Sequence, residues 1–407
     1  MVNDDDKYVK VMVLRRRYLI IRNTESKMKT FIEFDAVELP NHLHLTRERV
    51  REFLQREYLP NKSRLGSGFS PEFSRLCGDA GYIGMTWPKQ YGGGGKSFLE
   101  RYIVCEEMLA AGAPVWGHWV ADRQSGPMLL DYASEEIKND LIPKMIAGEY
   151  CFCIGLSEPD SGSDLFAAKA AAGKTSEGWV LNGTKLWTSG ARQAHYMIAL
   201  MRTEKATEDN RRHGLTQFLV PMNTPGITVR PVRSMAGDSE FNEVHFDNVI
   251  IPSDNALGEI NGAWKQASKE LAYERSGSER FLETFSVLQA LADYVHKNPK
   301  VHLQEALGSL VADLYSFRQM SLSVAMMLEQ GKAPMVEAAL VKDVGTLWQQ
   351  ALPERVRSIV GGESDFDDQP ELRRDINRML KIAPKLTIQG GTTEVLRGII
   401  ARGLGLR

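Results

Sequence analysis

FCIGLSEPDSGSDLFAAKAAAGKTSEGWVLNGTKLWTSGAR, residues 152–192 of 407, is the stretch that decides the fold class. It combines short apolar runs, a polar turn and an aromatic residue at a strand end. Trp179-Val180-Leu181 and Thr184-Lys185-Leu186-Trp187 flank Asn182-Gly183, a pair whose tolerance of positive φ suits a two-residue turn, so the spacing predicts a hairpin there. Upstream, the run Phe152–Ser157 breaks at Glu158-Pro159 into Asp160-Ser161-Gly162-Ser163-Asp164. Glycine and small hydroxyl residues let backbone amides approach an anion closely, so this turn reads either as a phosphate site or as a plain connection.

Outward from that stretch, short apolar runs continue at Tyr196–Met201, Leu215–Pro221, Gly226–Val232 and Phe241–Phe246, with the charged, aperiodic Thr203–His213 as a solvated loop. Their spacing and β-branched content fit a compact antiparallel barrel or sandwich. Before it the pattern is helical. A helix is expected from a threonine cap at Thr46 to Leu59, others over Phe98–Ala111 and Gln124–Tyr132, and one opening at Ser134, with Gly81–Gly95 as an irregular connection. After Ile251-Pro252 come helices at Ala263–His296, Leu303–Gln330 and Val336–Leu352, lengths that suit an antiparallel bundle. The expected fold class is α+β multidomain: an N-terminal helical domain, a middle antiparallel β-barrel or sandwich domain and a C-terminal helical bundle, with strands only in the middle. The boundaries fall at 1–35 (an extension or tag-like segment), 36–150, 151–258 and 259–407.

Lys and Arg number 50 against 52 Asp and Glu, a net charge of −2, so nothing in the overall charge favours nucleic acid or an anionic membrane, and a small-molecule ligand is expected. The four cysteines lack paired zinc-site spacing and read as reduced core residues, with no metal site. No apolar run approaches the ~20 residues that span a bilayer. In the first 29 residues, acids lead and arginines interrupt the apolar run, which disfavours a secretory or mitochondrial leader. The expected location is the cytoplasm of a bacterium, ahead of a mitochondrial matrix.

LSEPDSGSD followed by NGTKLWTSG resembles the flavin-binding middle domain of the acyl-CoA dehydrogenase family, whose members carry a Thr/Ser-Glu-Pro-x-x-Gly-Ser-Asp turn and a Trp-x-Thr/Ser strand end at similar separation. Trp87-Pro88-Lys89-Gln90-Tyr91-Gly92-Gly93 resembles a loop of the family's bacterial branch. The resemblance runs from roughly Thr46 to the C-terminus. It implies FAD as cofactor, an acyl-CoA substrate and an electron-transfer flavoprotein as acceptor. In such enzymes a glutamate removes the α-proton of the thioester while a hydride leaves the β-carbon for flavin N5.

Two positions compete for that glutamate. Most members place it near the C-terminus, but the matching residue here is Gly390, which has no base to offer. Steps of three and four from Trp264 give Ala267, Leu271, Glu274, Ser278, Phe281, Phe285, Leu288, Ala292 and Val295, an apolar stripe on which Glu274 is the one charge. A carboxylate that loses hydration there has its pKa raised toward the range of a general base; the alternative is a structural ion pair with Arg275 or Arg280. Tyr273-Glu274-Arg275 matches a second group within the family that carries its base on this helix, so the resemblance makes Glu274 the catalytic base and Arg275 its electrostatic neighbour. It also implies that Leu156 and Ser157 face the flavin pyrimidine, that Gly162 and Ser163 hold the pyrophosphate, and that Trp187 packs on the isoalloxazine with Thr188 and Ser189 at the N5 edge. Gly361, Thr392 and Glu394 correspond to cofactor contacts from the C-terminal domain. Trp187 reads equally as a barrel-end core aromatic, and Thr392 as a helix cap.

Two departures bear on assembly. An Arg-x-x-Phe-Gly sequence that commonly reaches a neighbouring subunit's cofactor is replaced by Val295-His296-Lys297-Asn298-Pro299-Lys300, and a glutamine before the Gly361-Gly362 pair is replaced by Ser358. These losses resemble members built from two different subunits, so a heterotetramer with a second acyl-CoA dehydrogenase subunit stands beside a homo-oligomer. A flavin oxidase or monooxygenase of the same fold, and a non-catalytic subunit, are the alternative activities.

Overall fold

A computed structural model describes residues 10–14, 17–21, 32–65, 68–207, 209–263, 266 and 275–406, with side chains from residue 32 onward. The chain divides into two compact units, one of residues 1–48, 98–110 and 275–407 and one of residues 49–97 and 111–274. Glu274 and the stripe residues Trp264, Ala267 and Leu271 lie outside the described residues.

The first unit is mostly helical, and it also contains a sheet that the sequence pattern does not announce. Strands β1 (Lys10–Leu14) and β2 (Arg17–Ile21) pair antiparallel, and β3 (Glu33–Asp35) pairs with β2. Ile32 and Phe34 are buried against Val324, Ala338 and Val341, and the Asp35 N–H donates to Ser323 Oγ at 2.9 Å. The segment around β3 is thereby tied to the helices. The bundle itself is formed by Phe285–Lys297, Val301–Glu329, Met335–Val360 and Pro370–Ile382, around Leu288, Leu291, Leu310, Leu352, Val356 and Ile376. Helix Phe98–Ala110 joins it through Glu106, whose carboxylate receives Arg318 Nε at 2.6 Å and Arg47 Nη2 at 3.0 Å.

Three helix expectations change. The long helix from Ala263 to His296 is interrupted: a turn at residues 275–278 precedes Glu279–Leu282 and Phe285–Lys297, because Ser276-Gly277-Ser278 is poor helix material. The Val336–Leu352 helix runs on to Val360 with Pro353 inside it. The first helix starts at Asn41, so Thr46 is internal and its hydroxyl donates to the His42 carbonyl instead of capping.

In the second unit, eight strands form one sheet: β4 (Phe152–Gly155), β5 (Ala171–Lys174), β6 (Trp179–Ser189), β7 (Tyr196–Arg202), β8 (Leu215–Pro221), β9 (Ile227–Val232), β10 (Phe241–Ile251) and β11 (Ala256–Leu257). The order is β11-β8-β7-β5-β6-β10-β9, with β4 on β7. The long pairings are antiparallel, while β4 runs parallel to β7. Alternation places Phe152, Ile198 and Leu219 on one face, packed with Trp87, Met128, Leu129, Leu141 and Ile142 from the helical and irregular segments of this unit. Cys153, Met197, Phe218 and Val220 point the other way, into a core shared with Leu181, Val244 and Phe246.

The hairpin at Asn182-Gly183 is not formed. β6 runs straight through both residues and pairs with β10 on either side of them, Leu181 opposite Val249 and Thr184 opposite His245. The true hairpin joins β5 to β6 through residues 175–178, closed by Thr175 N–H to the Gly178 carbonyl at 2.8 Å. Gly183 serves a different need: its φ is 134°, and a Cβ there would lie 2.6 Å from the Ala170 Cβ.

Candidate active site

The turn after β4 is fixed from several directions. Leu186 N–H of β6 donates to the Ser157 carbonyl at 2.9 Å, Glu158 and Ser161 exchange backbone hydrogen bonds at 2.7 and 3.2 Å, and Ser161 Oγ donates to the Asp164 carbonyl at 2.7 Å. Gly162 and Ser163 are exposed at its tip. Beneath the turn lies an ion pair. Lys185 has a fully buried side chain, and its Nζ donates to Glu158 Oε1 at 2.7 Å and to the Leu156 carbonyl at 3.3 Å. Glu158 also accepts the backbone N–H of Lys169 at 2.7 Å and of Ala170 at 3.0 Å. Burial pulls the Lys185 pKa below that of a free lysine, and the Glu158 carboxylate opposes that shift.

Two residues further along β6 the backbone changes conformation. Register with β10 passes from Lys185 opposite Val244 to Thr188 opposite Asn242, so Leu186 and Trp187 together face Glu243 alone: a β-bulge. The bulge explains why Trp187 adopts φ of 62°, a left-handed value that a bulky side chain rarely takes. It also explains the neighbours' opposite environments. Trp187 is 56% exposed, its ring in a T-shaped contact with Phe241 at 5.9 Å between centroids, while Thr188 is 1% exposed. The Thr188 hydroxyl has no hydrogen-bond partner among the described residues, and neither has Asn242 Oδ1, although Asn242 Nδ2 donates to the Thr188 carbonyl at 3.0 Å. Ser189, half-buried, ends the strand opposite Phe241. Backbone in a sparsely populated conformation and buried polar groups without partners both cluster at ligand sites. These residues fit a flavin.

In the helical unit the structure gathers a second constellation around Gly390-Gly391. Arg275, 2% exposed, donates from Nε to the Gly390 carbonyl at 3.3 Å, and Lys342, 0% exposed, donates from Nζ to the Gly391 carbonyl at 2.7 Å. Both glycines have positive φ, 70° and 105°. Thr392 then caps the helix Thr393–Gly403, its Oγ1 accepting the Val395 N–H at 3.4 Å. A backbone N–H at that helix start, followed by the Thr392 side chain, holds the Glu394 carboxyl below the usual carboxylate range. Gly361 ends the Met335–Val360 helix, its N–H donating to the Arg357 carbonyl at 2.9 Å.

Thus Leu156, Ser157, Gly162, Ser163, Trp187, Thr188 and Ser189 share one region of the β unit, and Arg275 meets the Gly390–Glu394 turn of the helical unit. Gly361 stands apart at its own helix end. Lys185 and Lys342 were missed by the sequence reading, although both carry a signal: Lys185 is in phase with buried Trp179 and Leu181, and Lys342 lies on the buried stripe of Ala338, Gly345 and Gln349. Cys151, Cys153 and Cys77 are buried and form no disulfide; burial pushes the Cys151 thiol up to about 11, and that of Cys153 higher still. Among the described residues no group of three or more His, Cys, Asp or Glu could hold a metal ion, and no helix is long and apolar enough to cross a membrane.

Comparison with known proteins matches the chain in three consecutive segments. Residues 40–149 match the acyl-CoA dehydrogenase N-terminal domain, 153–249 the middle domain and 264–405 the C-terminal domain. The acyl-CoA dehydrogenase IpdE1 of Mycolicibacterium smegmatis is 31% identical over 349 residues, 80% of this chain and 86% of that protein. FadE34, an acyl-CoA dehydrogenase of Mycobacterium tuberculosis, is 32% identical over 337 residues, but the chain spans only 45% of its length. Among solved structures, the ChsE4-ChsE5 complex of Mycobacterium tuberculosis superposes with a TM-score of 0.80 at 26% identity, covering 91% of this chain and 99% of that one. With all three domains matched in order, the chain belongs to the acyl-CoA dehydrogenase family.

Proposed function

We propose that this chain catalyses the FAD-dependent α,β-dehydrogenation of an acyl-CoA thioester to the 2-enoyl-CoA, with Glu274 as the base. The observation that carries the flavin assignment is the bulge in β6, which exposes Trp187 at a strained φ beside a buried Thr188 hydroxyl without a partner. FAD, when bound, supplies the hydride acceptor. Leu156 and Ser157 would orient its pyrimidine edge, Gly162 and Ser163 would meet the pyrophosphate, Trp187 would cover the ring, and Thr188 and Ser189 would hold the N5 edge. Within the helical unit, Thr392, Glu394 and Gly361 would be contacts to an FAD. Glu274 accepts the α-proton, with Arg275 shaping the local electrostatics.

The decisive test is anaerobic flavin bleaching by a panel of acyl-CoA thioesters, comparing wild type with Glu274→Gln, which keeps side-chain size and removes basicity. Bleaching should fall by at least about a hundredfold in rate, the scale of a lost general base, with flavin retained. Bleaching at the wild-type rate would move the base elsewhere. Electrons then pass to an electron-transfer flavoprotein; rapid oxygen consumption coupled to turnover would instead identify an oxidase.

A heteromeric assembly is the second reading, favoured by the absent Arg-x-x-Phe-Gly sequence and by likeness to the ChsE4-ChsE5 complex. In it, a second acyl-CoA dehydrogenase subunit supplies cofactor contacts that this chain lacks. Size-exclusion mass and flavin content of the chain expressed alone test it: a homo-oligomer with one flavin per chain would end this reading.

A further inference from the structure

We infer that Lys185 tunes the electron affinity of the bound flavin through the single peptide group that joins Leu156 to Ser157. The inference rests on the FAD reading above. The Leu156 carbonyl, which Lys185 Nζ reaches at 3.3 Å, and the Ser157 N–H are opposite ends of one amide. A cationic donor on the oxygen draws electron density from the nitrogen and makes the N–H a stronger donor, as in any hydrogen-bonded chain of low local dielectric. The Ser157 carbonyl is already taken by Leu186 N–H, whereas the Ser157 N–H has no acceptor among the described residues. It is therefore free to meet the flavin pyrimidine edge at O2 and N1, where negative charge accumulates on reduction.

The local fold is arranged for this transmission. On a regular strand Lys185 and Trp187 would lie on the same face. The bulge between them separates their environments, so that Lys185 is fully buried while Trp187 is exposed. Glu158 lets the ammonium persist in that interior: at 2.7 Å it provides the countercharge, and it is itself held by the Lys169 and Ala170 amides. A simple brace would need the pair alone; the additional bond to Leu156 is what directs the cation at the cofactor-facing peptide.

The test compares Glu158→Gln with the double variant Lys185→Met/Glu158→Gln, which removes both charges and so leaves neither buried alone. The full chain is used in whatever assembly size-exclusion defines. FAD uptake is followed by fluorescence and the midpoint potential by equilibration with a reference dye. The double variant should lower the potential by about 30 mV relative to wild type, a tenfold change at two electrons, and Glu158→Gln, in which the ammonium loses its countercharge, should lower it in the same direction. A double variant that takes up FAD and keeps the wild-type potential overturns the inference and marks the pair as a brace only. If the double variant does not accumulate, Lys185→Gln in the Glu158→Gln background should shift the potential in the same direction, and no shift overturns the inference. A wild-type assembly that takes up no FAD removes the flavin reading and this inference with it; FAD uptake with unmoved potentials removes the inference alone.

Discussion

Two buried lysines, Lys185 in the β unit and Lys342 in the helical unit, each donate to a backbone carbonyl from full burial, yet they hold their turns by different means. Around Lys185 a carboxylate does the work: Glu158 gathers the ammonium and two backbone amides, and the turn it organises contains no positive φ. Around Lys342 the turn is made of two glycines at φ 70° and 105°, and a second cation, Arg275, sits on the preceding carbonyl. One turn is held by side-chain charge. The other combines two glycines at positive φ with cations that reach its carbonyl oxygens. Gly390, where most of the family carries its base, shows the consequence: without a side chain, its carbonyl is presented to Arg275, and the carboxylate chemistry passes to Glu274 in the proposed assignment.

That contrast can be broken by removing each ammonium. Lys185→Met strands Glu158 in the interior with only backbone donors, and the expected loss is about 3–5 kcal/mol in urea unfolding, the scale for a broken buried pair. A loss under 1 kcal/mol would mean that the Glu158 carboxylate is satisfied by the Lys169 and Ala170 amides alone. Gly183→Ala attacks the same network from behind. Its new Cβ would lie 2.7 Å from the Ala170 Cα, and the Ala170 N–H is one of the Glu158 donors. With φ at 134° adding backbone strain, about 3 kcal/mol should be lost. Gly173→Ala, where a Cβ meets nothing within 4 Å, is the control and should change stability by less than about 1 kcal/mol.

Lys342→Met should cost at least about 2 kcal/mol, the range for loss of the hydrogen bond from its charged ammonium to the Gly391 carbonyl. No loss in the same unfolding assay would mean that the glycine turn holds without the ammonium.

The two regions also differ in how far the sequence discloses them. The β strands are legible because alternation and β-branched content act over whole runs, so β8 spans Leu215–Pro221 as the pattern predicts, and β7 extends by one residue to Arg202. The helix Phe98–Ala110 and the Ser134 cap are legible for the same local reasons. Asn182-Gly183 is not, because the dipeptide signals only permitted φ values; pairing of β6 with all of β10 decides that the chain runs on, and Ala170 decides that residue 183 lacks a Cβ. Trp187 was legible as an aromatic but not as an outward one, since the bulge that turns it depends on register. The Gly390-Gly391 turn was read as an absence of a base, and its two cationic donors lie 115 and 49 residues away in sequence, beyond any local pattern.

The smallest effect concerns the residue that follows the glycine turn. Thr392 both caps the final helix and stands where the proposed cofactor contact would be, so Thr392→Ala separates a structural role from a binding one. The cap bond to Val395 N–H is long, 3.4 Å, and its loss should cost about 0.5–1 kcal/mol in unfolding of the flavin-free protein. If capping is its whole contribution, FAD affinity should be unchanged once stability is accounted for. If Thr392 also touches the cofactor, affinity should fall by about a further tenfold, the cost of one hydrogen bond to an anionic group, and Thr392→Ser should restore both quantities together because it keeps the hydroxyl. Restoration of stability without affinity would place the binding role in the threonine methyl, and the turn held by glycines would then contribute shape to the site rather than polarity.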